Sequence, residues 1–207
     1  MKTRQFPEDS ALVLVDIQND FCPGGALAVA DGDLIIDRIN QLMRLFRLVV
    51  GTKDWHPPGH ISFKQQGGEW PPHCIQNTSG AEFHPRLNSE LIDAVGLKGF
   101  LPDKDVFEGL EAETASGLKL DPLLWQRGIK IVYVTGLATD YCVRGTVLDA
   151  IKKGYNVKLV TDAIKAVDVK PGDGDRAIQE MVGNGAELVT TDRLLAMPHL
   201  GRVAGNR

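Results

Sequence analysis

Residues 133–146 read YVTGLATDYCVRGT. A β-branched apolar run ends at Gly136, a short polar turn follows, and a helical pattern begins near Cys142. A buried strand that passes directly into a helix is the unit of a parallel sheet, because a crossover helix is what returns the chain for the next parallel strand. Cys142 then falls at the carboxyl edge of a strand. Two readings of its thiol are open here. Free cysteine is among the most often buried residue types, so Cys142 can be core. It can also be a nucleophile whose thiolate a helix-terminal dipole favours.

The same alternation continues on both sides. Residues 11–17 (ALVLVDI) and 48–54 (LVVGTKD) read as buried strands, with an amphipathic helix over 34–47 between them. Residues 55–85 are rich in Gly, Pro and His and show little periodicity. Strands follow at 129–136, 155–163 and 186–191, with helices over about 140–153 and 173–185. Short, fully apolar strands alternating with helices predict an α/β, three-layer Rossmann-like fold with a central parallel sheet flanked by helices. Its crossovers should be right-handed, and ligands should collect beyond the carboxyl ends of the strands.

The totals agree with a single domain over 1–207, since no linker, repeat or low-complexity tract interrupts the chain. A net charge of −4, with Lys and Arg scattered, argues against a nucleic-acid surface. No run approaches the ~18 apolar residues of a membrane span. The opening MKTRQFPEDS lacks the apolar core of a signal peptide. Three cysteines in a chain this long do not make a disulfide framework, so a cytoplasmic, reducing setting is expected. Apolar helix faces serve core and interface alike, which leaves a homo-oligomer compatible with the pattern.

Three strand ends carry chemistry-bearing residues. Asp16 leaves the first strand, Lys98 follows the short apolar run AVGL, and Cys142 follows the strand ending near Gly136. Singly, Asp16 reads as a turn residue and Lys98 as a surface lysine. Together on one sheet edge, an acid and an ammonium can deprotonate a thiol and manage protons in acyl transfer. The long loop holds a second group: Asp54 and His56 in KDWH, then His60 and His73. Carboxylate and imidazole suit a divalent metal, zinc first, with iron or manganese as alternatives. The competing reading is loop histidines bonded to backbone. Cys74 and Cys22 read as buried, and His84 and His199 as surface or capping residues. Phe21 and Trp70 are either core aromatics or walls for a flat ring.

Five motifs, in order, carry a resemblance. They are DIQNDF with Asp16, DWHPPGHISF with Asp54 and His56, WPPHCIQNTSGAEFHP with His73, KG with Lys98, and GLATDYCVRGTVLDA with Cys142. The chain resembles the nicotinamidase branch of the isochorismatase-like cysteine hydrolases over nearly its whole length. That resemblance implies Cys142 as nucleophile, Asp16 as general base and later acid, and Lys98 as the third triad member. It implies an oxyanion hole from the backbone N–H groups of Ala138 and Cys142, and a cis peptide at Leu137–Ala138. It implies one divalent metal on Asp54, His56 and His73, joined by His60 in some members, binding the pyridine nitrogen. Phe21, Trp70 and Leu137 would line the substrate pocket.

The implied activity is hydrolysis of nicotinamide, or a related pyridine or pyrazine carboxamide, to the acid and ammonia through a thioester. The alternatives are a sister amidase acting on another small amide and a non-catalytic metal-binding module. One departure bears on substrate range. Where the family commonly has a Tyr-Ser-x-Phe-like segment, this chain has DVFEGLEAE, with Phe107, Glu108 and Leu110 at the pocket positions.

Overall fold

The computed structural model describes residues 6–197. Seven strands form one sheet: β1 (Ser10–Val15), β2 (Leu48–Asp54), β3 (Ala94–Lys98), β4 (Glu113–Thr114), β5 (Ile131–Leu137), β6 (Asn156–Lys165) and β7 (Glu187–Val189). Their order is β4-β3-β2-β1-β5-β6-β7. Every neighbouring pair is parallel except β3 and β4. The α-helices are α1 (Ile36–Met43), α2 (Leu120–Gln126), α3 (Arg144–Lys152), α4 (Asp173–Gly183) and α5 (Thr191–Leu195). None of the described helices is long and apolar enough to cross a membrane.

All six residues of β1 are buried, and they alternate between two cores. Leu12 and Leu14 join Ile36, Ile39 and Leu42 of α1, with Leu194 of α5. Ala11, Val13 and Val15 join Leu120 and Leu124 of α2, Val147 and Ala150 of α3, and Ala177 and Met181 of α4. Burying each Val or Leu is worth about 1.5–3 kcal/mol, so both faces hold the register of this strand. The expected three-layer α/β architecture is the one observed.

Three local differences have physical causes. The first helix is shorter than its pattern: a 3-10 turn covers Gly32–Ile35 and α1 ends at Met43. Leu45 and Phe46 extend the apolar rhythm because they are buried outside the helix, where Phe46 stacks on Phe6 at 4.3 Å. The helix expected from about residue 140 begins as α3 at Arg144. Before it, Thr139–Val143 forms a single π-turn in which Val143 N–H donates to the Ala138 carbonyl at 3.1 Å. The short elements β4, α2 and α5 had no counterpart among the expected elements.

The sheet order reverses at β1, which pairs with β2 on one side and β5 on the other. In an open parallel sheet, such a reversal leaves a crevice beyond the carboxyl ends of the strands. Asp16, Asp54, Lys98 and Cys142 all lie at that edge.

Candidate active site

Asp16 follows β1 directly and is fully buried, with φ of 50°. Its Oδ1 accepts from the Thr52 hydroxyl at 2.6 Å, and the same hydroxyl accepts from the Asp16 N–H at 3.2 Å. Its Oδ2 lies 2.9 Å from Lys98 Nζ but has no aligned hydrogen bond, leaving an acceptor in reserve. Lys98 ends β3 and is 1% exposed. Its ammonium donates to Asp54 Oδ1 and reaches Cys142 Sγ at 3.3 Å. Asp16, Asp54 and Cys142 therefore surround one ammonium, which occupies that triangle as its cation.

Burial works against the Lys98 charge, yet Asp16 and Asp54 outweigh it and hold the ammonium well above its ordinary range. Burial pushes the Cys142 thiol well up; the Lys98 charge opposes this, while Asp16 and Asp54 add to it. Burial also raises Asp16, against the pull of Lys98. The thiol is thus not acidified at rest, as a helix dipole alone would make it. A raised carboxylate beside a raised thiol is a pair between which a proton can move as bonding changes.

Asp54 faces both ways. Its Oδ1 meets Lys98, while its Oδ2 lies 3.6 Å from His56 Nε2. Asp54, His56 and His73 each offer a ligand atom, all within 4.8 Å of one another, and all three residues are buried. His56 Nδ1 bonds the Gly99 carbonyl at 2.9 Å and His73 Nδ1 bonds the Pro71 carbonyl at 2.8 Å. Carbonyls only accept, so each Nδ1 carries the proton and each Nε2 keeps its lone pair, the arrangement a metal ligand needs. Burial lowers His73, favouring the neutral ring. For His56 burial is outweighed by Asp54, which raises it; that attraction favours positive charge between Nε2 and the carboxylate. The donor set fits one divalent cation.

His60 stands apart from this trio. Its ring stacks on His56 with centroids 4.1 Å apart, its Nδ1 meets Ser62 Oγ at 2.7 Å, and its Nε2 meets the Lys104 carbonyl at 3.1 Å. Both ring nitrogens have protein partners.

A cavity opens onto Cys142 and the Asp54, His56 and His73 group. Phe21 and Trp70 line it, as does Ala138. Leu137 does not: it is fully buried in the core, its Cδ1 facing Gly32. The Leu137–Ala138 peptide is cis. Of the segment that departs from the family pattern, Phe107 lines the cavity, whereas Leu110 is fully buried beside Leu120 and Leu124. Glu108 is absent from the lining. Asp105 and Val106 are present in its place. Cys22 and Cys74 are free and buried, and His84 is half-buried, its Nδ1 accepting from the Arg86 N–H at 3.2 Å. His199 lies outside the described residues.

Sequence reasoning missed several contributors. Gln18 is fully buried and brackets the Asp54 backbone: its Nε2 donates to the Asp54 carbonyl at 2.8 Å and its Oε1 accepts from the Asp54 N–H at 2.8 Å. Asp20 accepts from the Cys74 N–H at 2.7 Å and from the Ala26 N–H at 3.1 Å, tying the His73 turn to the first loop. Tyr141 and Val167 complete the apolar lining. The available signal for Gln18 and Asp20 was their place within DIQNDF, next to Asp16.

Residues 10–193 match the isochorismatase domain. The chain belongs to the isochorismatase family and is an isochorismatase-like hydrolase. Within that family it is similar to the nicotinamidase of Escherichia coli, at 41% identity over 87% of this chain and 94% of that protein. The zinc complex of the pyrazinamidase of Pyrococcus horikoshii superposes with a TM-score of 0.79, at 46% identity, covering 88% of this chain and 99% of the other. The nicotinate complex of PnC1 from L. infantum superposes with a TM-score of 0.84, at 35% identity, covering 93% and 98%.

Proposed function

We propose that this protein hydrolyses nicotinamide, or a closely related pyridine or pyrazine carboxamide, to the carboxylic acid and ammonia, with one divalent metal and a thioester on Cys142. The observation that carries this reading is the buried Lys98 ammonium, which joins Asp16 and Asp54 and touches Cys142 Sγ at 3.3 Å beside an aromatic-walled cavity. Similarity to nicotinamidases supports the substrate class, and similarity to a zinc complex supports the metal. When bound on Asp54, His56 and His73, a divalent cation, zinc first among candidates, would supply a Lewis-acidic anchor for a ring nitrogen.

The chain's own residues then act in sequence. Phe21 and Trp70 hold the ring flat so that the carboxamide carbon meets Cys142. Asp16 Oδ2 takes the thiol proton as sulfur bonds to that carbon. The N–H groups of Ala138 and Cys142 receive the oxyanion, each contributing roughly 3 kcal/mol to the transition state. Asp16 returns the proton to the departing nitrogen, which leaves as ammonia, and the acyl group remains on sulfur. Asp16 next removes a proton from water as it attacks the thioester. Breakdown releases the acid, and the proton returns to Cys142. Lys98 keeps its charge throughout and holds both carboxylates in register with the thiol.

Three free, buried cysteines support a cytoplasmic setting. The test is ammonia release from nicotinamide by the metal-loaded protein, beside Cys142→Ala and a chelator-treated sample. Loss in both controls is expected. No release from the loaded protein would overturn the substrate, and a panel of other small amides would then probe the sister-amidase reading that Phe107 invites.

A further inference from the structure

One wall of the cavity is formed by Asp105, Val106 and Phe107, of which Asp105 and Phe107 are exposed and Val106 is half-buried. Its last residue, Phe107, is 37% exposed and lies 6.3 Å, ring to ring, from Tyr141, on which Trp70 packs edge-on at 5.0 Å. Just before this wall the chain is tied to the histidine loop, where the Pro102 carbonyl accepts from the Ile61 N–H at 2.8 Å and the Lys104 carbonyl meets His60 Nε2 at 3.1 Å. Just after it, the chain is anchored at the start of α3. The Thr146 hydroxyl accepts from the Gly109 N–H at 2.9 Å and donates to the Cys142 carbonyl at 2.7 Å. A helical threonine bonding the carbonyl four residues back is ordinary packing by itself. The second bond, to a segment 37 residues away, is not.

Both points of approach are glycines. A Cβ on Gly109 would lie 2.7 Å from Thr146 Oγ1, and one on Gly145 would lie 3.0 Å from Phe107 Cβ and 3.2 Å from its carbonyl carbon and oxygen. The wall therefore sits against α3 as closely as bare backbone permits. Thr146 is fully buried, so its hydroxyl has no solvent to exchange with.

We propose that Thr146 is a positioning residue: it fixes the Phe107 wall relative to Cys142 and so sets the width of the ring slot, favouring flat carboxamides without bulky ring substituents. The proposal rests on the amidase reading above and deepens it to a substrate class.

The test compares the metal-loaded wild type with Thr146→Val, Thr146→Ser and Gly145→Ala. Two readouts are taken. One is kcat and KM for nicotinamide against 5-methyl- and 6-methylnicotinamide. The other is alkylation of Cys142 by iodoacetamide against its bulkier N-phenyl derivative, followed by mass spectrometry with buried Cys22 and Cys74 as internal controls. The wild type should prefer the unsubstituted ring by about tenfold or more, the usual scale for a misfitting methyl group. Thr146→Val should narrow that preference by about fivefold, chiefly through KM, and narrow the alkylation ratio in parallel. Thr146→Ser, which keeps both hydrogen bonds, should retain the wild-type ratios. Gly145→Ala pushes the same wall without removing a hydrogen bond and should shift the ratios the same way; it carries the test if Thr146→Val does not fold. Wild-type ratios in both Thr146→Val and Gly145→Ala, or loss of the ratios in Thr146→Ser as well, would overturn the proposal. Failure of the wild type to hydrolyse nicotinamide would instead remove the substrate reading, while the alkylation ratios still decide the role of Thr146.

Discussion

Gly99 and His56 fit together as backbone and ring: the Gly99 carbonyl fixes His56 Nδ1 at 2.9 Å, and a Cβ on Gly99 would lie 2.6 Å from that same nitrogen. Gly99 also has φ of 62°, a conformation that side chains disfavour. The glycine after Lys98 thus orients a metal-ligand candidate. Gly99→Ala should displace the His56 ring and lower zinc affinity by about 10–100-fold, the range for lost outer partners of a ligand. Competition with a chromogenic chelator measures this. Unchanged affinity would separate His56 from the metal.

Asp16→Asn should lower turnover by about 10²–10⁴-fold, since the proton acceptor is gone while the shape is kept. Its effect on the thiol runs the other way. The Asp16 charge raises Cys142, so its removal should bring the thiolate out at lower pH than in the wild type. Alkylation rate against pH, beside ammonia release, reads both. A thiol that titrates higher in the variant would contradict the assigned geometry.

Lys98→Met leaves Asp16 and Asp54 buried around an uncompensated space. Breaking a buried ion pair in this way typically costs about 3–5 kcal/mol. Urea unfolding should show a loss of that order, and ammonia release should fall to background.

Away from the site, the Glu111 carboxylate accepts from Lys119 at 2.6 Å and from Lys153 at 2.7 Å. Those two bonds hold it down to about 2, against 4.5 for an ordinary glutamate. A folded-state value below the unfolded one gives stability that is present above the unfolded value and fades as pH falls through the folded one. Glu111→Gln should therefore unfold at lower temperature than wild type at pH 6, and the gap should close between about pH 4.5 and pH 2. Melting curves at both ends of that window test it. A gap that persists at pH 2 would mean packing, not charge, is responsible.

Elements that bury a continuous apolar run were legible from sequence: β2 begins and ends at the residues its pattern indicated, and β1, β5 and β6 differ by a residue or two. So were the residues that share the sheet's carboxyl edge, because strand ends place them there whatever the loops do. What escaped notice depended on contacts rather than pattern. α2 is seven residues long with Pro122 in its first turn, too short to show a period. The π-turn at Thr139–Val143 has no rhythm of its own. Leu137 was assigned to the pocket by neighbourhood, but its side chain packs against Gly32 in the core. Gln18 works through the backbone of Asp54, a relationship across 36 residues that no local window contains.

The sheet order has a consequence for synthesis. Asp16, Asp54 and Lys98 precede Cys142 in the chain, and the strand leading to the nucleophile is the one that must lie beside β1. Until β5 arrives, a nascent or truncated chain presents β1, apolar from Ala11 to Val15, with one side unpaired, the kind of edge that recruits other chains. The thiol is therefore delivered last, into a cradle whose other members are already translated. Fragments ending short of β5 should be both inert and prone to aggregate.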